Sequence, residues 1–254
     1  MIKKLICTLT LFLAGTPALQ ASPSTPSLSP AATVWSYEGK GSPEHWSELS
    51  DEFQTCKKGH FQSPIDINHV IKGNLPPLDM VFHTQSESIV NNGHTIQVMV
   101  KDGEDFLLDG QQFTLQQFHF HTPSENLING KSFPLEAHFV HSNPQGEVAV
   151  VAVMFEEGEV NPQLETILQK LPKAQNKVEP LEAVIDLGAF FPQDKHYYRF
   201  SGSLTTPPCT EGLRWLVIKQ PETISKAQIT AFQQALKHAN NRPLQPLHGR
   251  MIVE

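Results

Sequence analysis

Short apolar segments rich in β-branched and aromatic residues occupy residues 95–100, 113–121, 135–142 and 148–155, each of strand length. Turn-forming clusters separate them: Asn91-Asn92-Gly93, Lys101-Asp102-Gly103, Asp109-Gly110, Asn129-Gly130 and Asn143-Pro144-Gln145-Gly146. Helical patterns are fewer. Residues 162–171 form one, and residues 225–239 form another, with Ser225 placed to cap it and Ile229, Phe232 and Leu236 along one stripe. The pattern predicts a mostly β body whose sheet is built largely from hairpins.

The amino terminus has a different texture. Lys3 and Lys4 precede an apolar run from Leu5 to Ala14, followed by small-residue cleavage candidates up to Ala21. Residues 1–21 are therefore expected to be a signal peptide and the protein to be periplasmic or secreted. The run is well short of the roughly 20 apolar residues a bilayer-spanning helix needs, so stable membrane insertion is not expected. Cys7 comes too early to be a lipid-anchor site. Residues 22–33, rich in Pro and Ser, read as a flexible tether, and residues 34–254 as the folded domain.

Export changes two further readings. Loss of Lys3 and Lys4 leaves 17 basic against 26 acidic side chains, a net charge of −9, which argues against nucleic acid or an anionic surface as partner. Loss of Cys7 leaves Cys56 and Cys209, an even pair expected to form a disulfide in an oxidising compartment.

Candidate chemistry lies in Phe118-His119-Phe120-His121. On a strand, i and i+2 share a face, so the two imidazoles point together and the two phenyl rings point the other way. An antiparallel partner at residues 135–142 that opposes His119 to His138 also opposes His121 to Glu136. Three neutral imidazoles on a stiff sheet suit a tetrahedral Zn2+ site with one position open, the catalytic pattern. Cu(II) would bind such a site by raw affinity, so zinc rests on geometry and availability.

These residues, with Pro43-Glu44-His45-Trp46, Gln62-Ser63-Pro64-Ile65, Asn91-Asn92-Gly93-His94, Gly202-Ser203-Leu204-Thr205-Thr206-Pro207-Pro208 and Asn240-Asn241-Arg242-Pro243, make the chain resemble the exported bacterial α-class carbonic anhydrases from about Trp35 to Arg250. The resemblance implies a large twisted, mainly antiparallel central sheet with peripheral helices. It also implies reversible hydration of CO2 to bicarbonate and a proton by a hydroxide on zinc held by His119, His121 and His138.

Further roles follow from the resemblance. Thr205 accepts the hydroxide's hydrogen bond and donates its own to Glu125, whose carboxylate can only accept. Gln117, Glu136 and the backbone near Asn240 hold the outer nitrogens of His119, His138 and His121. Val140, Val150, Leu204, Thr206, Leu213 and Trp215 form the substrate pocket. His94 is the proton shuttle, served by a water network along Tyr37, Asn92 and Gln97. Departures are Thr122, where vertebrate members usually carry Trp, and the polar Gln97 and Gln116; none removes a ligand. The sequence does not fix the oligomeric state; a homodimer is suggested only by analogy with exported bacterial relatives. The alternatives are a zinc esterase or lyase on a larger substrate and a noncatalytic envelope binding protein.

Overall fold

Along the described residues 35–81, 85–101, 105–181 and 185–254 of a computed structural model, twelve strands and four α-helices form. The expected signal peptide, the tether and the start of the body at Val34 lie outside the described residues, as does the middle of the Lys101-Asp102-Gly103 turn. The strands are β1 (Asp66–Ile67), β2 (Gln85–Asn91), β3 (Ile96–Lys101), β4 (Asp105–Leu108), β5 (Gln111–His121), β6 (Leu127–Ile128), β7 (Leu135–Ser142), β8 (Val148–Glu157), β9 (Val178–Pro180), β10 (Tyr197–Ser203), β11 (Glu211–Ile218) and β12 (Glu222–Ile224). The helices are α1 (Trp46–Leu49), α2 (Thr55–Lys58), α3 (Pro162–Lys170) and α4 (Lys226–Leu236).

Ten strands make one sheet in the order β10-β11-β8-β7-β5-β3-β2-β9, with β4 on β5 and β12 on β8. Hairpins account for β2–β3, β4–β5, β7–β8 and β10–β11. The β4–β5 turn shows why: Asp109 and Gly110 have φ of 55° and 76°, the two left-handed positions a type I′ loop requires. The sheet departs from a pure hairpin pattern at β8, which pairs in parallel with β11 and β12. Its unbroken apolar run, Val148 to Phe155, is buried on both faces, the composition that parallel neighbours select.

The two faces of the sheet carry separate cores. Phe118, Phe120, Phe139, Val151 and Val153 belong to the larger apolar cluster, and Val150, Ala152, Met154, Trp215 and Val217 to the smaller one. Alternation along β5 and β7 therefore places an aromatic layer on one side and the histidines on the other. Phe118 stacks on Phe139 with ring centroids 5.3 Å apart, and Phe120 meets Phe232 of α4 at 5.1 Å.

The helices obey their terminal signals. Asn161 caps α3 by accepting from the Gln163 and Leu164 amides, with Pro162 in the first position. Ser225 and Gln228 form a reciprocal capping box at the start of α4, and Ile229, Phe232 and Leu236 are buried as the stripe predicts. The helix ends at Leu236, short of the expected residue 239, because Lys237 adopts a left-handed φ of 68° and its amide closes on Gln233 O at 2.9 Å.

Cys56 on α2 and Cys209 in the β10–β11 connection are bonded, with Cα atoms 5.0 Å apart across a sequence separation of 153 residues. Closing a loop this long in the unfolded chain is worth about 5 kcal/mol in the chain-entropy model. A Cys56→Ser/Cys209→Ser protein is expected to lose stability of about that size in urea unfolding; a loss below about 1 kcal/mol would remove the bridge as a determinant of stability.

Candidate active site

The β5–β7 register pairs His119 with His138 and His121 with Glu136. This brings three imidazoles together, with ring centroids 5.1, 5.3 and 4.5 Å apart. Each ring is held from outside by an acceptor. His119 Nδ1 donates to Gln117 Oε1 at 2.9 Å, His121 Nδ1 to Asn240 O at 2.7 Å, and His138 Nε2 to Glu136 Oε1 at 2.9 Å. Those bonds set the tautomers, leaving Nε2 of His119, Nε2 of His121 and Nδ1 of His138 as lone-pair donors.

Several observations test whether these donors fit a metal. One ligand atom from each histidine lies within 4.8 Å of the other two. His121 Nε2 is buried without a hydrogen-bond partner, a costly arrangement for a polar atom with nothing to bind. Burial lowers the pKa of all three rings, and mutual repulsion lowers His119 and His138 further, so they stay neutral. The three histidines fit a divalent cation that favours nitrogen ligands.

Glu136 is the keystone of the outer layer. It is fully buried, and its carboxylate accepts from the Glu125 and Asn126 amides and from Asn126 Nδ2 at 2.7 to 2.9 Å. That nest fixes both the His138 ring and the loop that presents Glu125. Glu125 Oε1 in turn accepts from the Arg242 amide at 2.9 Å, and Oε2 lies 3.5 Å from His121 Nε2. Burial pushes the Glu125 carboxyl up to about 8, against the lowering effect of the Arg242 amide and the Thr205 hydroxyl.

A cavity of about 190 Å³ opens over the histidines. Val140, Val150, Leu204, Thr205, Thr206 and Trp215 line it on one side, and Tyr37, His94, Asn92 and Gln97 line it elsewhere. Leu213, also expected in the wall, is buried in the apolar cluster that contains the lining residues Val150 and Trp215. Asn92 Oδ1 is engaged by the His94 and Thr95 amides at 2.9 and 2.8 Å, and Gln97 Nε2 by Met99 Sδ at 3.0 Å.

Three contributors make contacts that the sequence does not announce. Trp35 stacks on His94 with ring centroids 3.8 Å apart and 17° between planes. Thr95 Oγ1 donates to Phe120 O at 2.6 Å and accepts from the Phe120 amide, pinning the strand between the two ligands. Arg242 is buried, and its guanidinium donates to Gln62 Oε1, Ser63 O and Cys56 O at 2.8 to 2.9 Å. Its motif was legible but its reach was not.

Comparison with known proteins agrees with this geometry. Residues 41–254 match the family model for eukaryotic-type carbonic anhydrase. A carbonic anhydrase from Pectobacterium carotovorum is 52% identical over 219 residues, covering 86% of this chain and 90% of that protein. The α-carbonic anhydrase of Thermovibrio ammonificans, solved with the inhibitor sulfanilamide, superposes with a TM-score of 0.85 at 43% identity, covering 88% of this chain and 100% of that one. The Photobacterium profundum α-carbonic anhydrase gives 0.82 at 48% identity, covering 87% and 100%. With that coverage, and with a three-histidine site on a central sheet, the chain belongs to the eukaryotic-type, or α, carbonic anhydrase family.

Proposed function

We propose that this protein catalyses the reversible hydration of CO2 to bicarbonate and a proton, using Zn2+ held by Nε2 of His119, Nε2 of His121 and Nδ1 of His138. The observation that carries the reading is the set of three neutral, outward-anchored imidazoles beneath a small cavity with one apolar wall. Zinc, when bound, supplies Lewis acidity that makes a nucleophile available from water at neutral pH.

The chain's own residues supply orientation. Thr205 accepts a hydrogen bond from the nucleophile and donates its own to Glu125, so a lone pair is directed toward substrate. Glu125, raised by burial, ionises beside a divalent cation because opposite charge favours the ionised form. Val140, Val150, Leu204 and Trp215 give CO2 a dry surface, and Trp215 is fixed by Nε1 donating to Ser203 O at 3.0 Å. His94, half-buried at the cavity and stacked on Trp35, passes the product proton toward solvent. The expected export signal and the Cys56–Cys209 bridge fit work in an oxidising compartment outside the cytoplasm.

His119→Ala is expected to lose both bound zinc and CO2 hydration, measured by metal analysis and stopped flow; retained activity would defeat the assignment. Thr205→Val keeps zinc but lowers kcat/KM about 100-fold if orientation of the nucleophile depends on that hydroxyl, and an unchanged value would remove Thr205 from the mechanism. His94→Ala lowers kcat in weak buffer and is partly restored by imidazole, and indifference to the substitution would rule out the shuttle.

A further inference from the structure

The turn carrying His94 is gripped by the last turn of α4 and the segment that follows it. Asn91 Nδ2 donates to Ala235 O at 2.9 Å, and Asn240 Nδ2 donates to His94 O at 2.9 Å. Between these two struts, the His238 ring meets Gly93 O through Nε2 at 3.1 Å. Gly93 holds a left-handed φ of +86°, and its carbonyl carbon is bonded directly to the His94 nitrogen. A shift of the Gly93 carbonyl therefore carries the next residue, His94, with it.

His238 also sits on the same tyrosine as the shuttle. Its ring centroid is 5.8 Å from Tyr37, and that of His94 is 6.5 Å from Tyr37. The other ring nitrogen of His238, Nδ1, faces Ala239 O at 3.0 Å. Carbonyl oxygens only accept, so both bonds form together only when the ring carries two protons and a positive charge. A neutral ring donates to one of these carbonyls at a time, and with the proton on Nε2 it donates to Gly93 O. The geometry favours a clamp over a second relay.

We infer that His238 is a positioning residue for proton transfer: it holds the Gly93 carbonyl, and through it keeps the His94 ring seated against Trp35 at the cavity. The inference rests on the reading of His94 as shuttle. Its position outside the metal centre means that substrate conversion up to the first product release does not depend on it, whereas the return of the proton to solvent does. Electrostatics add a second handle. The titratable groups facing His94 are Tyr37 from the N-terminal segment, His238 after α4, and the three histidines across the cavity. The pKa of His94 is lowered first by burial and then by the charge of His238, so removing that charge moves the His94 titration upward.

The test uses the zinc-loaded full chain and compares the parent with His238→Ala, His238→Gln and His94→Ala. Stopped-flow CO2 hydration in weak buffer is read alongside the NMR titration of the His94 ring. His238→Ala is expected to lower kcat about threefold or more, leave kcat/KM within about twofold, and recover with added imidazole. His238→Gln, which keeps a donor for Gly93 O but no charge, keeps the parental kcat, while the His94 midpoint rises in both variants. A His238→Ala kcat equal to the parent's, with His94→Ala impaired, overturns the clamp and leaves the shuttle standing. Equal impairment of the Gln and Ala variants also overturns it, since a donor alone then does not suffice. If His94→Ala itself leaves kcat unchanged, the shuttle reading is what has failed.

Discussion

The antiparallel ladder between β5 and β7 decides everything at the site, because it fixes which residues oppose which. Slipping β5 by one residue against β7 would turn His119 and His121 into the aromatic layer and bring Phe118 and Phe120 into the cavity, away from His138. Both faces oppose that slip. Each phenyl ring withdrawn from its core would forfeit about 2 kcal/mol of burial, and each imidazole driven among them would lose its acceptor. The register is thus held by packing on one side and hydrogen bonds on the other, and the ligand geometry inherits its stiffness.

Around that ladder, the protein gathers groups that are individually unfavourable to bury. Glu125 and Glu136 are both pushed upward in pKa by desolvation, and the histidines are pushed downward. Main-chain amides, the Asn126 side chain and the guanidinium of Arg242 offset the carboxylates; the main-chain oxygen of Asn240 and the carboxylate of Glu136 offset the imidazoles. Asn240 links three parts at once. Its main-chain oxygen holds His121, its side-chain oxygen accepts from the Thr122 amide, and its side-chain nitrogen reaches His94 O and Phe120 O. The histidine cluster and the turn carrying His94 are thus tied together through Asn240.

Much of this was legible before any coordinates. The i, i+2 spacing of His119 and His121, and the single register that also places Glu136 beside them, followed from strand geometry alone, and so did the capped start of α4. The features that escaped depend on contacts between distant segments. Arg242 bonds residues some 180 positions away, Trp35 stacks on His94 from a segment far away in sequence, and the parallel pairing of β8 with β11 is a choice made by burial on both faces. The end of α4 escaped for a different reason: Lys237 is an unusual residue for a left-handed cap, and no Gly or Asn announces it.

X-ray absorption at the zinc edge of the metal-loaded protein tests the central claim most directly, because it counts ligands without reference to activity. Three imidazole nitrogens at about 2.0 Å and one exchangeable oxygen are predicted. A sulfur ligand, or a fourth donor from the protein that closes the coordination shell, would contradict it.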